Sequence, residues 1–258
     1  MAQQQDLGAW IGSANYFGDL NTSTNFRFIN PAGGIFYRYN IDDRISVRAN
    51  LGGGRIWASD NYSENYYERN RNLSFFSPIL ETSAGFEFNF LQFNTNDYRH
   101  PFTPYVMAGF GGFYFNPSVK YQGVVYHLQN LGTEGQGYPE YPAITPYHRV
   151  SSTFIVGGGF KYRLQHSLGL QLEAAVRKTS TDYLDDVSGV YADPAVLLHE
   201  GGPVAAHLAD PSVEVIDNPI GVPGKMRGDV SKNDNYLFIG IGIFYTLNPS
   251  KCPSPEGR

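Results

Sequence analysis

A two-residue alternation of apolar and polar side chains constrains this chain more than any other feature. It recurs in segments near the ~9–11 residues that a tilted strand needs to cross a bilayer. In residues 168–177, Leu168, Leu170, Leu172, Ala174 and Val176 fall on one face, with Gly169, Gln171, Glu173, Ala175 and Arg177 opposite. Residues 45–54 repeat the pattern, with Ile45, Val47, Ala49 and Leu51 against Ser46, Arg48, Asn50 and Gly52. Between 76 and 90, Phe76, Leu80, Ala84, Phe86, Phe88 and Phe90 alternate with Ser77, Glu81, Ser83, Gly85, Glu87 and Asn89. Residues 237–245 alternate aliphatic side chains with Gly and Phe, and 7–18, 32–39, 104–115 and 152–164 follow less regularly, which makes eight strands. Helical periodicity is nearly absent, and no stretch offers the ~20 continuous apolar residues of a membrane helix.

Composition agrees with a surface that water does not wet throughout. Charged residues are 17% of the chain, below the roughly 25% of soluble domains, while aromatics reach 15%. With 19 Lys+Arg against 24 Asp+Glu, the formal net charge of -5 offers no basic excess for a nucleic-acid partner. The start, Met1 to Asp6, lacks the basic and apolar regions of a signal peptide and reads as a mature terminus behind an added Met.

The connections alternate in length. Residues 40–44, 91–101 and 164–167 are mostly short, whereas 19–31, 58–72, 116–150 and 184–235 are long and rich in Gly, Pro, Asn and Tyr. Short periplasmic turns, long extracellular loops and an even strand number describe an all-β, eight-stranded antiparallel transmembrane β-barrel of the OmpA, OmpX or OmpW kind. A lipocalin-like barrel or a sandwich fits the alternation too. Aromatic residues at strand ends favour the membrane: Tyr37, Tyr39, Phe88, Phe90, Tyr162 and Tyr245 at the inner edge, Tyr16, Phe17, Trp57, Phe75, Phe76, Tyr114, Phe115 and Tyr236 at the outer. Glycines inside strands suit the curvature of a small barrel. The whole chain, 1–258, reads as one barrel domain over about 7–247 with a periplasmic tail at 248–258, both termini lying in the periplasm.

Eight strands leave a lumen just wide enough to be filled by its own side chains. The inward set includes Arg38, Arg48, Lys161, Arg163 and Arg177 with Glu81, Glu87 and Glu173, and burial requires these ions to pair as a structural network. Acid-base or relay work by these carboxylates is the alternative.

Catalytic and cofactor motifs are missing. The six histidines show no HExxH or regular metal-ligand spacing, and no nucleophile elbow or phosphate loop follows a strand, so the motifs offer no catalytic constellation and no cofactor site. His199 with Glu200 and His207 with Asp210 read as solvated loop residues, a divalent ion being the sharper alternative. The Tyr-rich third loop, including Tyr121, Tyr126, Tyr138 and Tyr141, reads equally as a surface for sugars or a protein partner and as a rigid exposed loop. Barrel closure brings the acidic run Asp182, Tyr183, Asp185 and Asp186 within one strand of Asp19. Hydrogen bonding at the outer rim that anchors the loops is the plain reading, calcium or partner binding the alternative.

At these two segments the sequence resembles the PorG family of the Bacteroidota type IX secretion system. The resemblance runs from Leu7 to Leu247, through Ser13-Ala14-Asn15-Tyr16-Phe17-Gly18-Asp19-Leu20-Asn21, Pro31-Ala32-Gly33-Gly34-Ile35 and Tyr37-Arg38-Tyr39-Asn40. Its specific part is Thr181-Asp182-Tyr183-Leu184-Asp185-Asp186-Val187-Ser188, within residues 178–191. It implies an integral outer-membrane barrel without enzymatic activity, associated with the periplasmic ring of the lipoprotein PorK and its partner PorN, in machinery for protein export, gliding motility and virulence. A periplasmic partner reaches only turns and termini, which nominates Asp42, Asp43, Arg44, Asn94, Asn96, Asp97, Arg99, Gln165, His166 and the tail. The one cysteine, Cys252, has no internal mate and is a candidate for an intermolecular disulfide with the ring. Competing functions are an adhesin or ligand-binding barrel acting through the Tyr-rich loops, and a lipid-modifying enzyme of the outer membrane.

Overall fold

The computed structural model describes residues 4–22, 26–93, 100–165 and 167–247. Eight long strands form the barrel: β1 (Gln4–Phe17), β2 (Asn30–Asn40), β3 (Ile45–Ser59), β4 (Ser74–Asn89), β5 (Phe102–Phe115), β8 (Val150–Gln165), β9 (Leu168–Thr179) and β10 (Asn235–Thr246). All neighbours pair antiparallel in the order β3-β2-β1-β10-β9-β8-β5-β4, and β3 pairs with β4 to close the ring. A ninth and tenth strand, β6 (Ser118–Tyr121) and β7 (Val124–His127), form a hairpin in the third long loop. The hairpin joins the wall at one point, where Ser118 meets Phe76.

The alternation places side chains as its period demands. Ile11 is 72% exposed, Phe110 71% and Phe86 64%, whereas Arg38 and Lys161 are 1% exposed. Large apolar groups outside and ions inside invert the arrangement of a water-soluble protein and match a transmembrane β-barrel. Among the described residues no helix is long and apolar enough to cross a membrane. Where Gly85 and Gly109 face each other across β4 and β5, a Cβ on either would lie within 3 Å of the opposing backbone, so the two strands approach there as only glycine permits.

One part of the aromatic expectation needs correction. Tyr37, Phe88, Phe90, Tyr162 and Tyr245 are exposed at the turn end, and Phe17, Trp57, Phe76 and Tyr114 face outward near the loop end. Tyr16, Phe75, Phe115 and Tyr236 instead point into the barrel and are buried. The reason is the pleat: adjacent residues such as Tyr16 and Phe17, or Phe75 and Phe76, must take opposite faces, so an aromatic pair supplies one girdle ring and one core ring.

The loops also hold helices that periodicity did not reveal. These are α1 (Tyr66–Arg71), α2 (Pro194–Glu200) and α3 (Gly202–Ala209), with 3-10 turns at Asp60–Tyr62, Leu128–Leu131 and Pro211–Glu214. Each α-helix is two turns or so, too short for a 3.6-residue pattern to register. Their local signals are caps: Asn65 accepts from the Tyr67 N–H at 2.9 Å and Asp193 from the Ala195 N–H at 2.8 Å, with Pro194 opening α2. Leu20, Leu73, Leu128, Leu184, Val187 and Leu208 from these loops join the buried rings of the barrel mouth in one apolar cluster. The loops therefore form a packed cap, and the third loop is not simply exposed: Tyr138 and Tyr141 pack against α2 and α3 residues.

Candidate functional site: a filled lumen and its polar cap

The lumenal ions gather around one carboxylate. Glu87, from β4, accepts from Arg38 Nε at 2.7 Å, Lys161 Nζ at 2.5 Å and Arg48 Nη1 at 3.1 Å, groups delivered by β2, β8 and β3. Arg38 also reaches Asp6 at 3.2 Å and Gln171 at 2.6 Å, while Arg48 pairs with Glu173, which accepts from Tyr105 Oη at 2.6 Å. Aromatic faces complete the solvation: Arg38 lies 5.0 Å from both Phe36 and Phe244, and Lys161 lies 4.5 Å from Tyr105. Nearer the loop end, Glu81 binds Arg177 Nε at 3.0 Å and Tyr236 Oη at 2.8 Å, and Arg177 sits over Phe238. Arg163 is buried at the turn end.

Seven of the eight ions expected inside thus belong to two pairing networks, with Asp6 as a further carboxylate. Alternation places Gln171 on the polar face with Glu173 and Arg177; Asp6 and Tyr105 carry no such signal, and Tyr236, expected in the outer girdle, points inward, yet all four obey the inward parity of their strands. A void of about 10 Å³ beside Trp10, Gln171 and Glu173 has room for about one water. The lumen described here is a polar core rather than a conduit.

The cap is built around the acidic string. Tyr16 Oη lies 2.5 Å from Asp185 Oδ2 and 2.9 Å from Asp234 Oδ1. A phenol has one proton to give, so both contacts are hydrogen bonds only when one carboxyl is itself protonated and donates back. Burial pushes both Asp185 and Asp234 well above the usual carboxylate range, which supplies that proton. Asp186, with φ +69°, accepts from Thr133 Oγ1 at 2.5 Å and Tyr147 Oη at 2.7 Å, and burial raises it to about 6. Asp182 is buried near Ser188, its carboxylate oxygens meeting no well-formed hydrogen bond among the described residues, and burial raises it to about 7. Tyr183 stacks on Tyr147 at 4.6 Å, and Tyr147 stacks on Phe115 of the barrel.

Two arginines tie the four long loops together. Arg227 donates to Glu134 at 3.1 Å and to the carbonyls of Asp186 and Ala209, while Glu134 accepts from the Ser188 and Gly189 N–H groups at 3.0 Å. Arg71 forms a bidentate pair with Asp60 at 2.8 and 2.9 Å and donates to the carbonyls of Arg227 and Asp19. The Asp19 carboxylate accepts from the Asp229 N–H at 3.0 Å. Asp19 and the string that begins at Asp182 are therefore brought together through hydrogen bonds at the loop end.

The turn end carries less. Asp42 accepts from the Arg44 and Ile45 N–H groups at 2.7 Å, Arg44 donates to the Phe90 carbonyl at 2.8 Å, and the Asp43 carbonyl accepts from the Phe93 N–H. Gln165 is exposed at the end of β8. Asn94, Asn96, Asp97, Arg99, His166, Cys252 and the tail lie outside the described residues. His199 pairs with Glu200, but His207 pairs with Glu214 at 2.8 Å, because Asp210 is taken by the N–H groups of Ser212 and Gly221. The described residues contain no group of three or more side chains able to hold a metal ion.

No curated protein matches the sequence. Among solved structures, the chain is similar to Neisserial surface protein A (12% identity, TM-score 0.44, 95% of this chain and 99% of that one). It is also similar to Ail of Yersinia pestis, solved with the heparin analogue sucrose octasulfate (10%, TM-score 0.45, 96% and 100%). A third is the N-terminal barrel domain of Pseudomonas aeruginosa OprF (10%, TM-score 0.39, 95% and 100%). A family model described as a domain of unknown function, DUF6089, matches residues 1–139, more than half of the 258. On that match, this eight-stranded barrel with its ion-filled lumen and folded cap belongs to the DUF6089 family.

Proposed function

We propose that the protein is a non-enzymatic outer-membrane anchor of the type IX secretion system, docking the periplasmic PorK/PorN ring at the membrane. The observation that carries the reading is the filled lumen: Glu87, Glu81 and their cations occupy the interior, which leaves the surfaces of the barrel to act. In this placement the loop end faces outward and the turns and both termini face the periplasm, as in bacterial barrels generally. The turn 41–44, fixed by the Asp42 side chain, presents Asp43 and Arg44 on a rigid base, and rigid surfaces lose little entropy on docking.

A photo-crosslinking residue at Asp43 or Arg44, used in intact cells, tests the docking. Capture of PorK or PorN is expected, and a non-reducing gel of the native complex reads any bridge from Cys252. Crosslinks confined to lipid and to unrelated periplasmic proteins would overturn the reading. A binding or adhesive role at the cell surface is a second reading, favoured by the cap. A cavity of about 180 Å³ there is lined in part by Tyr121, His207, Asp185 and Arg227, and the Tyr121 and His207 rings pack at 4.5 Å. Retention of surface glycans by the full chain, abolished by Tyr121→Ala, would favour it.

A further inference from the structure

A cleft of about 540 Å³ opens on the exterior of the barrel at the loop end, between β3, β4 and the β6–β7 hairpin. Its lining includes Asn30, Arg55, Trp57, Tyr62, Phe76 and Lys120 and, among the described residues, no carboxylate, in a chain whose net charge is -5. Arg55 shares the outward face of β3 with Leu51 and Trp57, and its guanidinium stacks on the Phe76 ring at 4.1 Å. Among the described residues neither Arg55 nor Lys120 is joined to an acidic partner, although both are exposed. Trp57, Phe28 and Tyr62 meet edge to face at 4.9 to 6.0 Å and form a fixed aromatic wall, with Arg27 over the Tyr62 ring at 5.6 Å.

Position in the wall narrows the ligand. An arginine on the lipid-facing side of a barrel is strongly destabilising at mid-membrane but nearly neutral at the headgroup level. Below Arg55, the ladder passes from Arg55 and Pro78 through Gly53 and Leu80 to Leu51 and Thr82, where Leu80 and Leu51 are exposed apolar groups. Above Arg55 the ladder carries Trp57 opposite Phe76, so one occupant descending from the loop end would touch aromatic rings, then the Arg55 cation, then hydrocarbon. A guanidinium matches phosphate oxygens in a bidentate fork, and an aromatic face suits the apolar side of a sugar ring.

We infer that this cleft binds a phosphorylated glycolipid of the outer leaflet: its phosphate meets Arg55 and Lys120, its sugar lies against Trp57, and its acyl chains descend over Leu80 and Leu51. The choice of leaflet rests on the membrane orientation proposed above; the cleft chemistry does not depend on the secretion partner.

Native mass spectrometry of the full chain in detergent, with a defined bis-phosphorylated diglucosamine lipid and its dephosphorylated form, tests the inference. The phosphorylated lipid is expected to form the adduct, and the dephosphorylated lipid to bind about tenfold more weakly or worse, as loss of a charge-assisted contact requires. The double variant Arg55→Ala, Lys120→Ala is expected to lose the preference while keeping heat-modifiable gel migration, and Arg55→Lys to retain part of it. Equal adducts from both lipids, or an unchanged double variant, would overturn the inference. Displacement by millimolar inorganic phosphate would reduce the cleft to a free-anion site, and displacement by a soluble sulphated polysaccharide would reassign it to glycan binding; either overturns the lipid. Protease protection after insertion into phosphatidylcholine vesicles reads the membrane placement separately.

Discussion

The lumen and the cap both bury many charges, but they hold them by different means. In the lumen each carboxylate meets cations: Glu87 has three, Glu81 has Arg177, and Glu173 has Arg48. In the cap, Asp182, Asp185, Asp186 and Asp234 outnumber the arginines within reach, and burial holds them toward the neutral form instead. Charge compensation satisfies the ions of one region through their own partners. Dependence on bound protons makes the other responsive near neutrality.

The sharpest way to break this contrast is Glu87→Gln. It would leave Arg38, Arg48 and Lys161 crowded without their shared anion, and breaking a buried pair costs about 3–5 kcal/mol. The barrel is expected to lose heat-modifiable migration at a markedly lower temperature. Arg227→Met removes the cation over Glu134 at a comparable local cost of about 3 kcal/mol or more, confined to the cap. Limited proteolysis should then cut the segment between α2 and β10 while the barrel melts as before; a lowered barrel melting temperature would show that the two regions are not separable.

A smaller effect is expected from Tyr16→Phe, about 1–3 kcal/mol for the two carboxyls left without the phenol, read as faster amide exchange around Leu184 and Val187. The smallest is the response to pH itself. A carboxyl whose folded-state pKa lies above its unfolded value stabilises the fold fully below about pH 4 and loses that contribution as pH rises past the folded value. Asp186 at about 6 and Asp182 at about 7 set the upper end of the window, so cap protection is expected to fall as pH rises from about 4 to about 8. Asp182→Asn should flatten the curve; an unchanged profile would mean that the cap carboxyls are ionised throughout.

The same contrast explains what the sequence discloses. Lumenal residues such as Arg48, Glu81, Glu87 and Glu173 sit on regular strands, where the two-residue period assigns a face without knowledge of any partner. Asp6 precedes the alternating segment 7–18 and Tyr105 lies in a less regular one, while Tyr16 and Tyr236 sit at strand ends, where position suggests a girdle but parity turns the ring inward. In the cap nothing periodic exists to read. Arg227 meets Glu134 across 93 positions, and Asp185 beside Asp186 looks solvated until Tyr16 and Asp234 close over it. Resemblance singled out the Thr181 to Ser188 string, but only the fold displays why its acids are internal.

The three-cation grip on Glu87 also bears on assembly. Arg38, Arg48 and Lys161 reach that carboxylate from three different strands, so a partly inserted hairpin would drag lone charges into hydrocarbon. Arg38 further spans toward Asp6 and Gln171, the latter on β9 beyond the β1–β10 seam. The staves must consequently reach the bilayer already gathered, and the last edge to zip up is also the step at which the interior first becomes electrically quiet.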